Sequence, residues 1–240
     1  RFARNRLVLS LMNIGHNLRL VLSLAALLGL TIHLSSCTLF KSKEETRSAR
    51  DLAEDGMEDF RDKDYLEAIE DFEKLRDWYP FSQYAVLAEL KLGDAYYQRQ
   101  EYEEAIFAYQ EFENLHPKNE AVPYVVYQIG RCYFDRIQTI DRGQTMPKEA
   151  VRVFERLVNS YPESPYAEKA RDHIRTCRIN LAEHELYVGN FYLKTKHYKG
   201  AMERFKTVIR DYPDLGVHYK AIQNLERCQN EMNKLTIEAE

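Results

Sequence analysis

Nine glycines, seven prolines and four cysteines are spread through 240 residues, and none of them gathers into a catalytic or metal-binding motif. No Gly-rich stretch has the spacing of a phosphate cradle. No HExxH pair offers two histidines to a metal, and no Gly-x-Ser-x-Gly turn exposes a nucleophile. The seven histidines are scattered without metal-ligand spacing. His184, in AEHELY, has glutamates on both sides and no partner at i+4, so it is expected to face solvent. The sequence therefore assigns no catalytic residue, no metal and no cofactor, and it reads as a non-enzyme. No CxxC occurs either. Cys132, Cys177 and Cys228 each sit in a helical pattern and read as buried free thiols, and a disulfide among them would have a pairing that spacing does not give. Basic residues nowhere cluster densely enough to mark a nucleic-acid partner.

The charge that is present is unevenly placed. Arg1, Arg4, Arg6 and Arg19 are the only charged residues before Cys37, which leaves 30 basic against 38 acidic residues beyond it, a balance of −8. From Leu20 to Leu34 the chain reads LVLSLAALLGLTIHL, a short apolar run behind Arg19, which is the layout of a secretory signal. It is short for a membrane span. Reading back to Leu7 lengthens it, but Asn13, His16, Asn17 and Arg19 interrupt it at a cost in mid-bilayer. The chain begins with Arg1, and Met12 would begin a signal of ordinary length. Leu34-Ser35-Ser36-Cys37 resembles a bacterial lipobox, in which the cysteine thiol takes a diacylglyceryl group. Several acyl chains anchor firmly where one binds marginally. Residues 1–36 are thus expected to be a lipoprotein signal, and 37–48 a lipidated cysteine with a charged tether. Thr38, rather than an aspartate, follows the cysteine and favours sorting to the outer membrane.

Beyond the tether one pattern returns four times: a Gly, an Ala twelve residues on, an aromatic four later and a Pro eight later. The copies are Gly56, Ala68, Phe72, Pro80; Gly93, Ala105, Tyr109, Pro117; and Gly189, Ala201, Phe205, Pro213. A further copy, Gly130, Ala150, Phe154, Pro162, has eight residues inserted between Gly and Ala. In antiparallel helix pairs the Gly and Ala let two axes approach, the aromatic fills the space between them, and Pro ends the second helix. Tyr65, Tyr102 and Tyr198 hold one register at the joints inside the pairs, and Pro147 takes that place in the third copy. The resemblance is to tetratricopeptide repeats: an all-α superhelical solenoid of about four and a half to five repeats. Repeats 1 to 3 would fill residues 49–163, and repeats 4 and 5 residues 164–240. From Pro162 to Gly189 the spacing is fourteen residues longer than usual, with Ser164-Pro165 as a helix start and no later Pro or Gly before Gly189. That predicts one long helix from Pro165 to about Thr195. A last helix, Val217 to about Lys234, would open a fifth unit.

Such a solenoid presents a concave face lined chiefly by the first helix of each pair. Counted from the anchor glycines, the candidate groove residues are Phe60, Leu90, Asp94, Tyr97, Tyr124, Tyr127, Arg131 and Phe134. Rigid aromatics there suit an extended peptide, or they pack between repeats. Arg131 could pair a terminal carboxylate. The insertion RIQTIDRGQTM, Arg136 to Met146, is either a solvent loop or part of a binding face.

The lipobox, the helical pairs with their long linking helix, YPFSQYA at Tyr79 to Ala85, TIDRGQT at Thr139 to Thr145 and YPESPYAEKA at Tyr161 to Ala170 together resemble the lipoprotein subunits of the β-barrel assembly machinery. The resemblance implies a scaffold on the periplasmic face of the outer membrane, held there by its lipid anchor. Its N-terminal repeats would engage unfolded outer-membrane β-barrel proteins near a C-terminal aromatic signal. From Gly189 onward it would dock a BamA-like barrel protein and accessory assembly lipoproteins. The eleven-residue tether, at up to ~3.6 Å per residue, would keep the groove within about 40 Å of the membrane. A rival class, with the same solenoid and different clients, is a periplasmic repeat lipoprotein that coordinates peptidoglycan synthesis or cell division.

Overall fold

A computed structural model describes residues 47–213 and 215–239. The expected leader, the lipobox cysteine Cys37 and the tether as far as Thr46 lie outside the described residues.

The described chain forms α1 (Ala49–Asp62), α2 (Tyr65–Trp78), α3 (Ala85–Gln98), α4 (Tyr102–Leu115), α5 (Val122–Phe134), α6 (Thr145–Ser160), α7 (Pro165–Lys194), α8 (Tyr198–Asp211) and α9 (His218–Ala239). Each packs on its neighbour in sequence, so the helices stack as hairpins. The turns inside three hairpins are alike. Lys63, Gln100 and Lys196 adopt left-handed backbone (φ 70°, 63° and 61°), and the next amide bonds back to a carbonyl of the helix just ended, as Glu101 N does to Tyr96 O at 3.0 Å. Second helices stop where the next residue is proline. Tyr79, His116, Tyr161 and Tyr212 have left the helical basin (φ −131°, −126°, −137° and −130°), because the pyrrolidine ring of the following residue crowds the α conformation.

The anchors meet inside each hairpin. Gly56 faces Phe72, Gly93 faces Tyr109, Gly130 faces Phe154 and Gly189 faces Phe205, and all four rings are fully buried. Withdrawing such a ring from water stabilises the fold by about 1.5–3 kcal/mol. The core is strung along the stack in three clusters, centred on Phe72 with Leu92, on Tyr109 with Phe154, and on Phe205 with Val208.

α7 is the thirty-residue helix that the spacing predicts. Its start is capped by Ser164, whose hydroxyl accepts the Tyr166 amide at 3.3 Å, with Pro165 in the first turn. At 1.5 Å per residue it is about 45 Å long. Its first half packs on α5 and α6 and its second on α8 and α9, so it joins both halves of the stack. Three expectations need correction. The last helix runs on to Ala239 rather than ending near Lys234, because no Pro or Gly stops it. The insertion leaves helical structure only between Phe134 and Thr145, and Thr145 and Met146 already form the first turn of α6. His184 is half-buried rather than solvent-facing, because the inserted segment folds back on α7 and its Ile140 carbonyl meets His184 Nδ1. Cys132, Cys177 and Cys228 are buried free thiols, as expected.

Candidate functional site

The first helices α3 and α5, with the start of α7, form a wall of tyrosines stitched by charge. Its centre is Asp94 on α3, only 5% exposed. Its Oδ1 accepts the hydroxyls of Tyr109 on α4 (2.8 Å) and Tyr124 on α5 (2.6 Å), and its Oδ2 accepts Lys91 Nζ at 2.7 Å. One carboxylate thus ties three helices across two repeats, and a buried charge is tolerated because both oxygens are satisfied. Burial, and then the Asp94 charge, push the Tyr109 and Tyr124 phenols well above their ordinary range, so both remain donors. Gln128 Nε2 reaches the Tyr109 hydroxyl at 3.4 Å.

A second node lies one turn along. Arg131 Nη2 donates to the Tyr97 hydroxyl (2.7 Å) and to Asp135 Oδ2 (3.0 Å), and the Tyr97 hydroxyl itself donates to Asp135. The guanidinium also lies over the Tyr97 ring, 5.7 Å from its centroid. A third node surrounds His173 on α7. Its Nε2 is 3.0 Å from the Tyr127 hydroxyl, and its ring stacks on Phe154 (5.2 Å, 22°) and touches Phe134 (4.3 Å). Burial, and next the Arg131 cation, lower the His173 pKa, so the imidazole is neutral at pH 7.

Seven of the eight candidate residues belong to this system. Asp94 and Tyr127 are buried; Tyr97, Tyr124, Arg131 and Phe134 are half-buried within it. Phe60, on α1, joins through Lys91, whose ammonium stands 4.9 Å from its ring centroid. Leu90 is half-buried against the central apolar cluster. The expectation omitted Lys91, Gln128 and His173, although they share one register. Lys91 and Gln128 stand two residues before Gly93 and Gly130. Thirteen residues past Pro162 the anchor position falls on Arg175, and His173 again stands two before it. Asp135 and Tyr166 were omitted also; the Tyr166 ring meets that of Tyr124 at a tilt of 59°, with centroids 5.4 Å apart. Among the described residues no His, Cys, Asp and Glu cluster could hold a metal ion. The arrangement presents polarised hydroxyls, one guanidinium and aromatic faces.

Stacked helical hairpins with closely packed Gly–aromatic anchors and a lined inner face define a tetratricopeptide-repeat protein. Residues 45–240 match the YfiO family, described as outer membrane lipoprotein, and the chain belongs to that family. Among its relatives is the outer membrane protein assembly factor BamD of Pasteurella multocida, 27% identical over 210 residues, or 83% of this chain and 80% of the relative. The BamD of Vibrio cholerae is 31% identical over 169 residues, covering 66% of this chain and 70% of its own. A solved tetratricopeptide-repeat protein from Parabacteroides merdae, 14% identical, aligns over 80% of each chain with a TM-score of 0.41. Among the described residues no helix is long and apolar enough to cross a membrane.

Proposed function

We propose that this chain is a non-enzymatic scaffold for outer-membrane protein assembly, held by lipid on Cys37 at the periplasmic face of the outer membrane. Family membership and relatives named as assembly factors support the class of work. The observation that carries the mechanism is the Arg131 node. A guanidinium has five donors in a fork that fits a carboxylate, and here it is preset over Tyr97 by Asp135 four residues on. A client β-barrel protein ending in an aromatic residue would lay its last side chains along Tyr97, Tyr124 and Phe60. Its terminal carboxylate would exchange with Asp135 for the guanidinium. The chain from Gly189 onward, with α8 and α9, then serves to dock a BamA-like barrel protein and accessory lipoproteins.

A fluorescent peptide ending in phenylalanine with a free carboxylate tests the node against its amidated twin. Wild type should bind the free acid on the order of tenfold more tightly, the worth of one charge-assisted hydrogen-bonded pair. Arg131→Gln should bind the two alike, and equal binding by wild type would remove the proposed role of Arg131. Depletion in cells separates the class from its rival. Folded outer-membrane barrels should fall while cell-wall synthesis is still intact, and the reverse order would favour peptidoglycan coordination.

A further inference from the structure

On the face opposite the tyrosine wall, α2 and α4 both pack on α3 and leave a groove between them. Two adjoining cavities of about 360 and 410 Å³ occupy it and share Arg76, Phe107, Ala108 and Glu111. One stripe of α4 forms a wall: Glu104, Phe107, Glu111 and Leu115 recur at helical spacing and point outward. Phe107 and Leu115 are each 62% exposed. Single exposed apolar residues are ordinary on protein surfaces. These two lie inside a concavity rimmed with carboxylates, which is not ordinary.

The rim carries a surplus of negative charge. Glu73 accepts the Tyr96 hydroxyl at 2.8 Å, and Glu89 lies 2.6 Å from His116 Nε2, so both side chains are held along the groove. Glu103 is paired with Arg136. Arg76, the one cation lining either cavity, is matched by Asp77 at 2.8 Å. Among the described residues Glu104 makes no salt bridge, and Glu111 makes none either but lies within the field of Arg76, which Asp77 and Glu73 share. An apolar floor inside an acidic rim would repel nucleic acid and anionic lipid alike. It complements a polypeptide that places an apolar side chain between lysines or arginines.

We infer that this outer groove is a second binding site, independent of the tyrosine wall, for a basic segment of a partner protein: an aromatic or aliphatic side chain on Phe107 and Leu115, flanked by cations on Glu104 and Glu111. The balance of −8 from Cys37 onward steers such a segment toward the chain, and the apolar contact holds it.

The test is fluorescence anisotropy of the full chain with a labelled, C-terminally amidated peptide, Gly-Lys-Ser-Phe-Lys-Leu-Lys-Gly. The amide leaves it no carboxylate for Arg131. Wild type should bind it, and should bind the counterpart with glutamate for each lysine on the order of a hundredfold more weakly. Glu104→Gln/Glu111→Gln and, separately, Phe107→Ser should each weaken binding on the order of tenfold. Glu104 and Phe107 are exposed and Glu111 is half-buried without a salt bridge, so the thermal midpoints of both variants should match wild type. Binding should weaken with salt in wild type and less so in the double glutamine variant. An unlabelled peptide ending in phenylalanine with a free carboxylate should not displace the probe. Equal binding of the two charge forms, displacement by that peptide, or indifference to both variants would overturn the inference. So would self-association of the chain that Phe107→Ser abolishes, since the occupant would then be a second copy.

Discussion

A Cβ on Gly93 would stand 2.5 Å from Cδ1 and Cε1 of Tyr109. Alanine in place of glycine inside a helix ordinarily stabilises by about 1 kcal/mol. Here the sign reverses, because the ring is fully buried and its hydroxyl is tied to Asp94 at 2.8 Å, so it cannot retreat. Gly93→Ala should destabilise by about 1–3 kcal/mol. Gly56→Ala should cost less, since its nearest ring atom, on Phe72, is 2.8 Å away and that ring carries no hydroxyl anchor. Urea unfolding of the two variants beside wild type checks the order. An unchanged midpoint for Gly93→Ala would show that the ring moves freely.

The same carboxylate predicts a difference between two replacements of Asp94. Alanine leaves the Tyr109 and Tyr124 hydroxyls without an acceptor and should cost roughly 2–6 kcal/mol, about 1–3 for each stranded group. Asparagine keeps an acceptor for the two hydroxyls but turns an amide donor toward Lys91, and so should lose about 1.5–3 kcal/mol, the worth of that charged contact. A double-mutant cycle of Asp94→Ala with Tyr124→Phe should show coupling above about 0.5 kcal/mol, as contacting residues do. Additive effects would mean that the two side chains do not share a bond.

The repeat made the fold legible from the chain alone, because each anchor does one steric job. Gly56, Ala68, Phe72 and Pro80 fix a close approach, a filler and a stop, and three more copies do the same. The long α7 followed from a missing Gly and Pro, which is also a local matter. The tyrosine wall was legible only in part. Asp94, Tyr124 and Arg131 were placed on it by register, yet their partners Tyr109, Lys91 and Tyr97 come from other helices or turns, and only packing decides which hydroxyl meets which carboxylate. His184 shows the opposite error. Its neighbours in sequence are glutamates, but its partner is a carbonyl forty-four residues earlier, in an insertion whose path no periodicity describes.

Three hairpin turns are expected to carry removable strain. A left-handed conformation costs a residue with a Cβ about 1–2 kcal/mol, and glycine avoids this while losing about 0.5–1 kcal/mol more entropy on folding. Lys63→Gly, Gln100→Gly and Lys196→Gly should therefore each stabilise, by about 0.5 kcal/mol net of these terms. The sites are far apart in the chain and share no partner, so the triple variant should gain about 1–2 kcal/mol, or roughly 2–8 °C in Tm for a domain of this size. Calorimetry of the triple variant reads the sum. A lower Tm would show that the turns are set by contacts of the replaced side chains.

His173 predicts an acid-side weakness. Its pKa is lowered, first by burial and then by the Arg131 cation, against smaller opposing effects of Asp135 and Asp172. The unfolded chain therefore takes up this proton more readily than the folded one, and stability rises with pH wherever that holds. The contribution is intact above the ordinary imidazole value near 6.5 and is lost as pH falls through it toward the lowered value. Protonation would also place a second cation beside Arg131 in a half-buried site, in place of a neutral imidazole paired with Tyr127. His173→Gln keeps a polar partner for the Tyr127 hydroxyl and has no proton to gain. Between pH 7.5 and pH 5.5 wild type should lose a few degrees of Tm more than the variant, since about 1 kcal/mol corresponds to roughly 2–4 °C here. Parallel Tm curves for the two proteins across that interval would show that His173 is already charged in the folded state, or that its environment does not resist the charge.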